Sequence, residues 1–201
     1  MVVNCYAGGS CNGGNPAKVF EFAHTTGLVH ASCTNYQAFN DVSGSCQDIF
    51  VCRDCTGPPP PPGDDGLDGC VAVTDMQRYY VSEYYNVKGV DQMKAELQNG
   101  PIGCGIHATD NFETNYDGKS VYSEKVHFLT LNHEISVIGY GVTPEGQEYW
   151  IGRNSWGTYW GDYGFFYMQM YKDNLGIERN CVAGTPSYTK PPAAEKIEFT
   201  Q

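Results

Sequence analysis

Positive charge and long apolar runs are what this sequence lacks. Lysine and arginine together number 12 against 23 aspartates and glutamates, a formal net charge of −11. No basic stripe exists to neutralise phosphates, which excludes nucleic acid as a partner. No apolar run reaches the ~18 residues that a membrane-spanning helix needs, so no membrane partner is expected. An export signal is missing too: the chain opens Met1-Val2-Val3-Asn4-Cys5, without an apolar stretch. Charged residues make up only 17% while hydrophobic ones reach 41%, which is the composition of a globular rather than a disordered chain. Its 201 residues suffice for one large domain or two small ones.

Cysteine is plentiful instead. There are nine, and Cys5, Cys11, Cys33, Cys46, Cys52, Cys55 and Cys70 fall in the first 70 residues. Such density indicates disulfides and an oxidising compartment. A disulfide-rich chain without an export signal is inconsistent in itself, and the simplest resolution is that the true N-terminal part is missing.

Residues 4–14 are rich in Gly and Cys and read as a loop. A helix is expected from Pro16, with Asn15 as N-cap, an apolar face of Val19, Phe20 and Ala23, and Gly27 at its end. Residues 28–75 read as irregular and cysteine-laced. The Pro58–Pro62 run and the turn-rich GDDGLDG after it read as a solvated surface insertion over 57–69. A strand is expected around Tyr79–Tyr85, then a helix capped by Asp91 with Val90, Met93 and Leu97 on one face, stopped by Gly100-Pro101. Beyond Ile102 the pattern turns to strands: HEISVIGYGV (133–142), EYWIGRN (148–154) and GFFYMQM (164–170) are aromatic and β-branched between Gly-rich breaks. The expectation is a helical, disulfide-tied part over 1–98, an all-β part over 99–185, and a loose polar tail over 186–201.

His133 heads one of these strands and Asn154 ends the next. A lone histidine at a strand end is usually structural, and His107 and His127 are read so. Two features set His133 apart. An asparagine side-chain oxygen is able to accept an imidazole N–H, read here as Nδ1–H, which fixes the tautomer and turns the other nitrogen toward a nucleophile. Trp156, inside RNSWG (153–157), is placed to shield that bond from water. Antiparallel pairing of the two strands brings the start of one beside the end of the other.

NHEISVIGYG followed by EYWIGRNSWG and YWGDYGFF resembles the histidine and asparagine region of papain-like cysteine peptidases. NCYAGGSCNGGNP resembles that family's Cys-x-Gly-Gly segment, and NGPIGCGI (99–106) resembles the start of its β domain. The placing of Cys33, Cys46, Cys52, Cys55, Cys70 and Cys104 is similar to the cathepsin Z-like branch. The resemblance covers about residues 4–184. It implies an α+β, two-domain fold, with a truncated helical left domain and a β-barrel-like right domain carrying His133 and Asn154. His133 would be general base and acid, and Asn154 its orienter. Gly13 and Gly14 would pair with the substrate backbone, Asn132 would flank the cleft and Trp156 would line the leaving-group side. The implied partner is a peptide or protein substrate, without a cofactor or a metal. The resemblance also implies a lysosomal or secreted compartment, and similarity to the cathepsin Z-like branch would add carboxypeptidase specificity.

The family's nucleophile, a cysteine opening a long helix, lies upstream of Cys-x-Gly-Gly and has no counterpart in this chain; the missing segment would be a further partner. Gly9-Ser10-Cys11 imitates a nucleophile motif, but Asn12-Gly13-Gly14 follows it and the helix begins only at Pro16, so no helix dipole activates Cys11. In the family the cysteine at this place bonds to one near the nucleophile, which leaves Cys11 unpaired here. The resemblance pairs the others as Cys5–Cys46, Cys33–Cys52, Cys55–Cys70 and Cys104–Cys181. The chain as it stands is thus expected to be inactive alone. Two alternatives stay open: a pseudoprotease that binds peptides or a peptidase without cleaving, and a cysteine-rich structural or zinc module using Cys46, Cys52, Cys55 and Cys70. His133-Glu134 also begins a zincin motif, but Val137 stands where the second histidine belongs. Glu134 replaces the small or apolar residue usual after the family's histidine.

Overall fold

The computed structural model describes residues 1–36, 46–57 and 69–191. The Pro58–Pro62 run and most of the 186–201 tail lie outside the described residues. The chain forms two compact units, Met1–Tyr84 with Gly184–Gln201, and Tyr85–Ala183.

The first unit holds a short ribbon of β1 (Gly9–Ser10) and β2 (Gly13–Gly14), then α1 (Pro16–Thr25), α2 (Asp48–Val51) and a hairpin of β3 (Arg53–Cys55) and β4 (Cys70–Ala72). α1 starts as its sequence dictates. The Asn15 side chain accepts from Ala17 N–H at 2.9 Å, Pro16 occupies the first turn where no intrahelical donor is needed, and Gly27 takes a positive φ of 81° after the helix. His24, buried on α1, bonds through Nδ1 to the Val81 carbonyl at 2.8 Å. Three disulfides tie this unit: Cys5–Cys46, Cys33–Cys52 and Cys55–Cys70. The stretch expected to be irregular thus contains α2 and the β3–β4 hairpin, which the last of these bonds closes. Cys46, Cys52, Cys55 and Cys70 are all in S–S bonds, so none of them is a free thiolate for the zinc reading.

The chain enters the second unit within β5 (Tyr80–Val87) and leaves it within β11 (Cys181–Ser187). Between them come α3 (Val90–Glu96), β6 (Ile102–Ile106), α4 (Asp110–Asn115), β7 (Val121–Tyr122), β8 (His133–Val142), β9 (Glu148–Arg153) and β10 (Phe165–Gln169). Strand order is β11-β6-β8-β9-β10-β7, antiparallel except for the β10–β7 edge. The division falls earlier than residue 98, because α3 sends Val90 and Met93 into the second unit's core. Three sequence expectations change here. Gly89, with φ of 75°, is the N-cap of α3 and Asp91 sits in its first turn; the Gly89 N–H is spent on the Glu178 carbonyl at 2.8 Å. The second part is not all-β, since α3 and α4 belong to it. Of the expected tail, Pro186 and Ser187 belong to β11.

The core of this unit is aromatic and aliphatic: Trp150, Phe112, Phe166, Met93, Ile102, Ile106 and Met168 are wholly buried. Each such side chain contributes about 1.5–3 kcal/mol by leaving water. The packing demands a glycine at one point. A Cβ on Gly152 of β9 would lie 2.1 Å from the Phe166 ring, so only a bare backbone lets that ring seat against the strand. Cys104 and Cys181 face each other across the β6–β11 pair and are bonded, both inside this core.

Candidate active site

Register builds the site. β8 and β9 run antiparallel with Ser136 opposite Arg153. Continuing that register past the end of β9 sets Asn154 beside Ile135 and Trp156 beside His133. Side chains directly opposite or diagonal across an antiparallel pair are within contact reach. The outcome is a bond of 2.8 Å between His133 Nε2 and Asn154 Oδ1, and a stacked contact of the imidazole and the Trp156 indole with centroids 4.7 Å apart.

The bonding nitrogen is Nε2, not the Nδ1 expected from sequence. The ring therefore keeps its proton on Nε2 when neutral and presents Nδ1 as the available base. Asn154 is buried at 8% exposure and held from several directions. Its backbone N–H donates to Gly164 O at 2.8 Å, and its Oδ1 takes a second bond from the Ser155 N–H at 2.8 Å. Its Nδ2 has no partner among the described residues. With two donors converging on Oδ1, an amide flip would present NH2 to two N–H groups, so the oxygen stays toward His133. Trp156 is itself braced by Trp160, edge-on at 5.0 Å, whose Nε1 donates to Glu113 O at 2.9 Å on α4. Phe112 backs both indoles.

The Asn132 side chain is engaged within the chain. Its side chain spans the Ala108 peptide groups, accepting from Ala108 N–H at 2.8 Å and donating to Ala108 O at 3.1 Å. It ties the residue before β8, and so the approach to His133, to the Ala108 peptide groups. His107 donates through Nδ1 to Thr130 O at 2.7 Å. His127 is exposed.

Gly13 and Gly14 belong to the first unit. They form the exposed strand β2, whose pairing uses one edge only among the described residues. Cys11 lies in the turn between β1 and β2, exposed and with its thiol free, and no helix begins at it. The four disulfides are the ones that the family resemblance implies.

Glu134 follows His133 but projects to the other face of β8. Much of the residue is exposed, yet its carboxylate folds over Gly105 of β6: a Cβ there would lie 3.3 Å from Glu134 Oε1 and 3.2 Å from Leu131 Cδ1. That burial pushes the carboxyl up to about 7. Sequence reading missed the part played by Ala108, Ser155 and Trp160. The first two act through backbone groups that any residue carries, so they leave no signal; Trp160 stood in the YWGDYGFF motif but its bracing role depends on α4, which was not foreseen.

No helix among the described residues is long and apolar enough to cross a membrane. The family model of "Papain family cysteine protease" matches residues 1–185. "Cathepsin Z" of Onchocerca volvulus is 41% identical over 194 residues, covering 92% of this chain and 58% of its own length. "Cathepsin B-like protease 1" of Arabidopsis thaliana is 27% identical over 188 residues, 90% of this chain and 46% of that protein. The chain thus spans about half the length of these relatives. Among solved structures, the bromelain protease of Ananas comosus in complex with the E64 inhibitor superposes with a TM-score of 0.68 at 24% identity, over 92% of this chain and 75% of that one. A procathepsin B of Trypanosoma congolense gives 0.69 at 24% identity, over 94% and 59%. The fold, the paired disulfides and these matches agree: the chain belongs to the papain family of cysteine proteases.

Proposed function

We propose that this chain carries the proton-transfer half of a cysteine peptidase that cleaves peptides or proteins. The observation that carries the reading is the Nε2–Oδ1 bond between His133 and Asn154 beneath the Trp156 indole. In this mechanism a cysteine thiolate attacks the scissile carbonyl, and the negative charge moves to the carbonyl oxygen. The His133 imidazolium gives its Nδ1 proton to the leaving amine as the carbon–nitrogen bond breaks. Neutral Nδ1 then takes a proton from water, whose oxygen attacks the thioester. The second tetrahedral species collapses, releasing the acid and restoring the thiolate. Throughout, Asn154 keeps the ring in one orientation, and Trp156 excludes water from the orienting bond. Gly13 and Gly14 supply an exposed backbone edge, against which an extended peptide is able to pair.

The thiolate must come from a cysteine other than Cys11, which has neither a helix N-terminus nor a base among its bonded neighbours. Similarity to cathepsin Z supports carboxypeptidase specificity and a lysosomal or secreted site. The test is hydrolysis of fluorogenic peptides, blocked and free at the C-terminus, by the protein as its cells produce it. Hydrolysis abolished by iodoacetamide and by His133→Ala supports the reading. Hydrolysis that survives His133→Ala overturns it. A protein that binds the same peptides without turnover establishes the pseudoprotease alternative instead.

A further inference from the structure

We infer that Glu124 is a positioning residue for the His133–Asn154 pair, acting through α4 and the two indoles that stand beside the imidazole. The inference rests on the peptidase reading above and extends it to a carboxylate well outside the reacting pair.

α4 carries both contacts that hold the indoles. Phe112 stands edge-on to Trp160 at 5.2 Å and tilted against Trp156 at 6.1 Å, and Glu113 O accepts the Trp160 Nε1–H at 2.9 Å. Trp156 in turn stacks on the His133 ring. Yet α4 has only six residues, Asp110–Asn115, too few to persist as a helix by its own hydrogen bonds. Burial of Phe112 presses it onto the core, but apolar burial has no direction. Directed bonds have to set its rotation and its position.

One carboxylate oxygen organises those bonds. Glu124 Oε2 accepts from Thr109 Oγ1 at 2.7 Å and from the Tyr122 hydroxyl. Each hydroxyl has a single proton, and giving it to Glu124 leaves the lone pairs for α4. Thr109 Oγ1 accepts from the Phe112 N–H at 3.1 Å, and the Tyr122 oxygen accepts from Asn111 Nδ2 at 2.9 Å. Both bonds land in the first turn of α4, around Phe112. A charged acceptor makes both O–H bonds stronger than a neutral one would. Burial, and then Glu124 itself, push Tyr122 up to about 12, so the phenol keeps its proton to donate.

Glu124 is anchored from the other side. Its backbone N–H donates to Asn174 Oδ1 at 3.1 Å, and Asn174, 3% exposed, donates through Nδ2 to Gln169 O at the end of β10 at 2.9 Å. The ion pairs among the described residues, Lys94–Glu148 and Arg179–Asp173, do not include it. The route from β10 through Asn174, Glu124, Thr109 and Tyr122, α4, Trp160 and Trp156 to His133 is therefore a hydrogen bond or a ring contact at every step.

The experiment uses the protein as its cells produce it, with two variants. Glu124→Leu keeps the bulk without an acceptor; Glu124→Gln keeps one oxygen for both hydroxyls. Two quantities are read: hydrogen exchange of the Trp160 indole N–H, and kcat and KM for a fluorogenic peptide. Glu124→Leu should exchange the indole proton about 10-fold faster. It should lower kcat about 3- to 30-fold with KM within about 2-fold, because the ring is misplaced while peptide binding is untouched. Glu124→Gln should return both quantities to within about 3-fold of the unmodified protein. Should Glu124→Leu fail to fold, Thr109→Val removes one hydroxyl at constant shape and should show about a 3-fold change in each. Unchanged indole exchange and kcat in a folded variant overturn the inference, and so does a variant that loses melting temperature alone. An unmodified protein that hydrolyses no peptide removes the peptidase reading instead, and indole exchange together with the His133 tautomer then decides the bracing.

Discussion

Nε2 of His133 stands 2.8 Å from Oδ1 of Asn154, and that single contact decides which nitrogen of the imidazole is free. Nδ1 is the nitrogen left outside that contact. Asn154 has its own oxygen pinned from behind by the Ser155 N–H, so the pair behaves as one rigid unit.

The tautomer is directly observable. Long-range nitrogen–proton correlation spectra at high pH should show His133 protonated at Nε2, with Nδ1 carrying the shift of an unprotonated ring nitrogen. Asn154→Ala should bring in the Nδ1–H tautomer. It should also cost about 1–3 kcal/mol of stability through unpaired neighbours, and roughly 10- to 100-fold in peptidase turnover through a misplaced ring. A spectrum dominated by the Nδ1–H form in the unmodified protein contradicts the assignment.

Trp156→Ala removes a stacked partner of His133 and an edge partner of Trp160 together. A loss of about 2–4 kcal/mol is expected for truncating a packed indole, measured by urea unfolding. Trp156→Phe should recover part of it, since a smaller ring keeps one of the two contacts.

The disulfides should differ in both energetic weight and accessibility. Cys104–Cys181 spans 77 positions and is sealed in the core, whereas Cys55–Cys70 spans 15 and lies near the surface. Chain-entropy arguments give about 4–5 kcal/mol for the first and about 3 kcal/mol for the second. Mild reduction followed by alkylation and mass spectrometry should label Cys55 and Cys70 well before Cys104 and Cys181.

Glu134 has a stability signature of its own. Its carboxyl stands at about 7 in the folded chain, above the ordinary 4.5. The folded state therefore binds more protons than the unfolded one between those values, and its contribution is fully present below pH 4.5 and is lost as pH rises to 7. Because the residue is substantially solvated, the whole change should be at most about 1 kcal/mol. Glu134→Gln should flatten this part of the profile in thermal melts across that window; an unchanged slope argues against the desolvated carboxylate.

The strands that carry the site were legible because alternating aromatic and β-branched residues have few other uses, and β8 begins and ends at the residues its pattern marks, His133 and Val142. Asn154 was legible from the pairing of β8 with β9, which ends one residue before it, and Trp156 from the RNSWG motif that holds both. The choice of imidazole nitrogen was not, since it depends on a side-chain rotation that only the folded pair fixes. The cap of α3 was misread because Asp91 is a good capping residue by type, while Gly89 is chosen by a backbone turn with positive φ. α4 went unseen although Thr109 marks it, accepting from the Phe112 N–H at 3.1 Å, because its six residues are too few to show a helical period. Asn132 was set beside the cleft by the family resemblance; nothing in the sequence reveals that its side chain also bonds the Ala108 peptide groups.

That last clamp has a mechanical consequence. With both polar ends of Asn132 anchored on Ala108, the chain is fastened to the end of β6 just ahead of His133. The segment before it is held by contacts of its own, Val121 and Tyr122 on β10 and the Glu124 N–H on Asn174, so the imidazole enters β8 from a stretch of backbone tied down at successive points.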